Sequence, residues 1–165
     1  MLGSMRVTAK TDYAVRGCLE LASHRADGML KADQIAAAQQ IPGAFMLSIL
    51  GDLRAAGIVE SRRGADGGYR LALDPADVAL ADVIRAIDGP LASIAGVQPE
   101  DVDYRGASAH LRDAWVALRV AMRSVLEATT LADVVAGDLP EVARELLSHD
   151  DAYVTRPLPG RGAEG

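Results

Sequence analysis

Apolar residues recur along this chain with two rhythms, and the changes between them mark its elements. From residue 9 to 25, Ala14, Cys18, Leu21 and Ala22 share one helical face with Val15 and Leu19 beside it. That spacing predicts an amphipathic first helix, capped by Thr8 and ended at Asp27-Gly28. Residues Ala32 to Gln39 are Ala-rich with Ile35 as the one large apolar side chain, which suits a short helix packed across its successor. In that successor Met46, Ile49, Leu50 and Leu53 fall at the i, i+3, i+4, i+7 spacing of a buried stripe, turning Ala44, Leu47, Ser48 and Arg54 outward. Pro42 is suited to its first turn, where a missing N–H costs nothing, and Gly57 to its end after Ala56. The rhythm then shortens. Ile58-Val59 and Tyr69-Arg70-Leu71 have strand composition, and Gly64, Asp66, Gly67 and Gly68 between them supply hairpin turn chemistry, with Arg62, Arg63 and Arg70 ringing the tip. Helix, turn, helix and hairpin in this order make Lys31 to Leu73 a winged helix-turn-helix, and the fold mainly α.

Beyond the wing, Asp74-Pro75 marks a boundary, and Leu80, Val83, Ile84 and Ile87 form a further helical stripe that stops at Asp88-Gly89-Pro90. The pattern dissolves over residues 90–107 into a polar connection. The longest helical pattern follows, from about Ser108 to Thr129, where Leu111, Trp115, Leu118, Met122 and Val125 are spaced as a heptad seam. Ala114, Ala117, Ala121 and Ala128 run alongside and allow close approach of another helix. A core helix within one subunit would show the same pattern; few remaining helices could cover both rows, which favours an interface between two copies. Thr130 can cap a short helix from Leu131 to Val135, and Pro140 opens another through Leu147. The expected division is a winged helix-turn-helix domain over 5–89, a loop over 90–107, dimerisation helices over 108–148 and a disordered tail over 149–165. Met1 to Ser4 read as a cloning remnant ahead of a start at Met5.

Composition narrows the function. The chain has 165 residues, half of them apolar, which excludes disorder throughout. It has no run of 18 apolar residues and no signal peptide, so no membrane partner and a cytoplasmic location are expected. The single cysteine, Cys18, excludes an intramolecular disulfide framework and any CxxC knuckle. The net charge of −6 disfavours nucleic acid until it is divided. Residues 6–73 carry nine Lys or Arg against seven Asp or Glu (+2), whereas residues 74–165 carry eight against sixteen (−8). The helix-turn-helix half is therefore mildly basic, as a phosphate backbone requires, although solubility alone can produce such asymmetry. Arg6, Lys10 and Arg16 cluster near the start of the first helix, either as phosphate contacts or as an ordinary solvated face. No phosphate loop, His-Glu-x-x-His, nucleophile elbow or paired catalytic carboxylates are present, so no enzyme is expected. His110 and Asp113, at i, i+3, read as a surface ion pair rather than a metal site, and no metal or cofactor is expected.

Four segments together resemble the Rrf-two family of bacterial transcription regulators: MRVTAKTDYAVRGCLELA, IPGAFMLSILGDLRAAGIVES, the wing RRGADGGYRLA, and VALADVIRAIDG. Order and spacing match from Met5 to about Val135. The resemblance implies a homodimer whose long C-terminal helices cross between subunits and whose two wings reach a roughly palindromic operator on double-stranded DNA. It implies major-groove contacts from the start of the reading helix, around Gly43, Ala44, Leu47 and Ser48, and a minor-groove contact from Arg62 or Arg63. Arg6, Lys10 and Arg70 complete the expected DNA-binding set, and a repressor is the expected regulator. Two departures qualify this. Ser48 is the main hydrogen-bonding side chain on the reading face, so thymine-methyl contact and shape recognition must carry more of the specificity. Iron-sulfur members hold their cluster with three cysteines in the loop before the long helix, and the corresponding residues 89–109 contain none. Cys18 has the placement of a buried structural thiol. A small-molecule effector, a partner protein or no effector all fit, and a winged-helix module binding only protein is the alternative.

Overall fold

The computed structural model describes residues 7–94 and 96–156. The first helix, α1 (Ala9–Ser23), begins where the Thr8 hydroxyl oxygen accepts the Thr11 backbone N–H at 3.1 Å, so the expected cap is present. It buries Thr11, Ala14, Gly17, Cys18 and Leu21. The pair α2 (Ala32–Gln39) and α3 (Gly43–Ala55) is joined by a turn in which Gln40 takes the left-handed conformation, φ 54°, and Ile41 drops into the core. Met46, Ile49, Leu50 and Leu53 are completely buried, as their spacing predicts. Gly17 lets α1 lie close over α3, since a β-carbon there would stand 3.2 Å from Met46 Cε.

The wing is an antiparallel hairpin of β1 (Val59–Arg62) and β2 (Gly68–Leu71), registered Val59 to Leu71 and Arg62 to Gly68. Its base joins the core through Val59 and Leu71. The next helix, α4 (Leu80–Asp88), buries Ala81 and Val83, while Leu80, Ile84 and Ile87 of the expected stripe are half-buried. Asp88 at its end accepts hydrogen bonds from the Thr8 and Thr11 hydroxyls, tying α4 to the start of α1.

The long helix, α5 (Leu111–Leu126), is shorter at both ends than expected. Gly106–Ser108 forms a separate 3-10 turn, and Thr129 leaves the helix to accept the Leu80 N–H, alongside a bridge between Ala79 and Thr130. These bonds return the chain to the first unit. The Thr130 and Asp133 side chains then form a reciprocal capping box for α6 (Leu131–Ala136), and Leu131 is completely buried in the core packed against α1. The boundary expected at residue 108 therefore cuts across the packing: α6 belongs with the winged-helix core, whereas α5 and α7 (Glu141–Leu147) lie against each other. Of the expected disordered tail, residues 149–153 form a bend and turns, residues 154–156 have no regular structure, and residues 157–165 lie outside the described residues, as do Met1 to Arg6. Among the described residues no helix is long and apolar enough to cross a membrane.

Candidate nucleic-acid interface

The reading helix presents its outward face as expected. Ala44, Leu47 and Ser48 are exposed and Gly43 is half-buried at the first turn. Phe45, absent from the sequence-based set, is 57% exposed; Leu47, two positions on and so on another side of the helix, is 53% exposed. The Phe45 ring meets Tyr13 of α1 edge-on, with centroids 6.3 Å apart.

The wing is fixed by groups that composition could not connect. Lys31, just ahead of α2, donates from Nζ to the Gly64 and Ala65 carbonyl oxygens, both at 2.9 Å. Leu30 and Tyr69 exchange backbone hydrogen bonds of 2.9 and 2.7 Å, adding a short third edge to the hairpin. The tip therefore has a set position relative to the two helices that precede it. Arg62 and Arg63 are exposed at this tip, and neither meets a carboxylate among the described residues.

The other sequence-predicted cations differ. Arg70 stands opposite Glu60 in the hairpin and forms an ion pair with it, two register positions behind the tip it was expected to ring. Cross-strand pairing of opposite charges accounts for this placement. Lys10 pairs with Asp52 of α3 at 2.7 Å, both side chains being partly exposed, so a phosphate would have to compete with that carboxylate. Arg16 bonds Asp12 and the Gln39 carbonyl and lies 5.6 Å from the Tyr13 ring centre, which makes it an internal brace. Arg6 lies outside the described residues.

The expected seam on α5 is open. No residue of this helix is fully buried; Leu111 and Leu118 are exposed, and Trp115, Met122 and Val125 are half-buried. The alanine row of residues 114, 117, 121 and 128 is exposed throughout. The Trp115 indole N–H is enclosed without an acceptor among the described residues. His110 and Asp113 do not pair as expected, because Asp113 turns to Arg112 instead, at 3.8 Å. Cys18 is fully buried, and loss of water pushes its thiol pKa up to about 12, which removes thiolate character at neutral pH.

Comparison with known proteins decides the family. The Rrf2 model, described as an iron-dependent transcriptional regulator, matches residues 7–137. The chain belongs to the Rrf2 family. The Rv1287 protein of Mycobacterium tuberculosis H37Rv, named as an HTH-type transcriptional regulator, is 49% identical over 142 residues, covering 86% of this chain and 88% of that one. CymR of Bacillus subtilis, also an HTH-type transcriptional regulator, is 30% identical over 132 residues, covering 80% and 91% respectively. The solved structure of CymR, described as the global cysteine regulator of that organism, superposes with a TM-score of 0.70 at 29% identity, covering 81% of this chain and 98% of CymR. IscR from T. potens superposes at 0.67 with 28% identity, covering 81% and 88%. This Rrf2 member is accordingly a DNA-binding transcriptional regulator with a winged helix-turn-helix fold, and not an enzyme.

Proposed function

We propose that this Rrf2 protein represses transcription as a homodimer bound to a roughly palindromic operator. The observation that carries the reading is the juxtaposition of an exposed α3 face with Arg62 and Arg63, both set by the same core and by the Lys31 brace. Phosphate neutralisation needs cations that are not already paired, and among the described residues these two arginines meet no carboxylate. Gly43, Ala44, Leu47 and Ser48 face the major groove, with direct hydrogen bonding centred on Ser48; Arg62 or Arg63 enters the minor groove. Dimerisation through α5 is supported by the open leucines, the alanine row and the unmet Trp115 N–H. On this reading the bound dimer blocks the promoter it sits on and so represses. Selection of bound fragments from a genomic DNA pool by the purified protein tests the proposal: a recurring sequence with two-fold symmetry is expected, and an unenriched pool contradicts it.

The family description names iron, and the residues present do not fit an iron-sulfur cluster. Cluster irons take several thiolates, while this chain has one cysteine, buried in the hydrophobic core. We therefore propose a member that regulates without a cluster. Iron and sulfide analysis after anaerobic purification checks this, and stoichiometric amounts of both would overturn it. The exposed Phe45 and Leu47 offer, besides, a surface for a protein partner of the regulator.

A further inference from the structure

A cavity of about 250 Å³ lies between α4, the connection after it and α5. Its charged lining consists of Arg85 from α4, Arg119 and Arg123 from α5, and Glu100 from the connection, with Gln98 beside them. Three guanidinium groups meet two carboxylates, Glu100 in the lining and Glu127 behind it, which leaves one positive charge. Arg119 holds Gln98 Oε1 at 3.0 Å and is ion-paired with Glu100, yet its Nε–H is enclosed without an acceptor among the described residues. Arg85 and Arg123 converge from the other side on Glu127, the residue that ends α5. Guanidinium forks arranged around a gap suit planar or tetrahedral oxyanions, to which they donate paired, charge-assisted hydrogen bonds. The volume is below the roughly 300–1,000 Å³ of drug-sized sites, which limits the occupant to a small ion.

We propose that this cavity is an effector site for a small dianion, a dicarboxylate or a phosphate, bound by Arg85, Arg119 and Arg123. Departure of Glu100 leaves three guanidinium groups against Glu127, two positive charges that a dianion balances, and opens the enclosed Arg119 Nε–H to an acceptor. Glu100, half exposed on a short turn, is the group it displaces from Arg119. Because the cavity is walled by α4, which packs on α1 and α3, and by α5, occupancy fixes the angle between the DNA-binding core and the long helix. A ligand that prefers one angle changes DNA affinity, and DNA changes ligand affinity by the same factor.

The test is calorimetric titration of the full chain, without DNA, with inorganic phosphate and with succinate, against acetate and chloride at matched ionic strength. Saturable binding of at least one dianion, absent for acetate and chloride, is expected, and which one binds identifies the source. Arg123→Gln, at a half-exposed position, should weaken that binding about tenfold or more with the fold intact by circular dichroism, and Arg119→Gln should do so at least as strongly. Glu100→Gln should tighten it by removing the competing carboxylate, an effect that a merely structural glutamate would not give. Neither dianion binding beyond chloride at concentrations up to about 10 mM, or equal binding by a folded Arg123→Gln variant, overturns the site. Because no DNA is present, failure here leaves the operator proposal intact.

Discussion

A β-carbon at Gly68 would stand 2.4 Å from the Leu30 carbonyl oxygen, and one at Gly67 would stand 2.1 Å from that of Arg62. Both obstacles are backbone, so neither can swing aside as a side chain would. The pair of glycines thus serves two closures: Gly67 lets the tip fold on itself, and Gly68 lets β2 dock against the segment ahead of α2. Gly68→Ala is expected to part Leu30 from Tyr69, destabilise the protein by roughly 2 kcal/mol or more and weaken DNA binding through the displaced wing. Thermal melting and gel-shift titration check this, and an unaltered melting temperature would show that the bridge is dispensable. The four glycine-turn residues were legible as a hairpin from composition, but the Lys31 brace was not: its acceptors are carbonyls of residues 64 and 65, and no side-chain identity announces them. Phe45 was missed for the opposite reason, since an apolar side chain at that position looks like core until Tyr13 is seen to cover only one edge of it. Arg70 was misplaced because arginines near a glycine-rich turn look alike in sequence, whereas register sets Arg70 opposite Glu60.

Among the elements, the buried faces were the most legible part of the fold. Every member of the α3 stripe is fully buried, because a 3.6-residue period leaves only one way to cover four large apolar side chains. The C-terminal end of α5 was not legible, since it depends on a bridge between Ala79 and Thr130 across some fifty residues of chain. The proposed α5 interface predicts that Leu118→Glu leaves each subunit folded, because this side chain is already exposed in the single chain. In the dimer the same charge would be buried without a partner, at a cost of about 3 kcal/mol or more. Sedimentation should show monomer, with operator affinity falling in parallel; a variant that stays dimeric would place the interface elsewhere. A pH prediction belongs to the α4–α5 connection. Hydrogen bonds from Arg85, then Arg123, hold the Glu127 carboxyl below its ordinary 4.5. A depressed folded value means that the clamp's contribution is whole above the ordinary value and is lost as pH falls through the lower folded one. Melting temperatures of the wild type and Glu127→Gln should therefore differ by a constant amount from neutrality to about pH 5 and converge below 4.5. A difference that persists undiminished in strong acid would remove the clamp from the account.

At the scale of the whole molecule, the acidic surplus lies in the half that carries the connection and α5, while the reading helix and wing occupy the mildly basic half. A net charge of −6 is thereby compatible with a DNA partner, because screening beyond about 10 Å lets the local field at the wing dominate. The central claim is that this face binds DNA through Arg62 and Arg63, and the salt dependence of binding to a selected operator fragment tests it most directly. Each phosphate neutralised adds close to 0.9 to the slope of log K against log salt, so a steep negative slope is expected for the wild type. Arg62→Ala with Arg63→Ala should weaken binding by about 1–3 kcal/mol for each base-specific interaction these side chains make, and should flatten the slope by about one for each phosphate they neutralise. A shallow slope in the wild type, or an affinity and slope unchanged in a folded double variant, would contradict the assignment and leave Phe45 and Leu47 as a surface for protein.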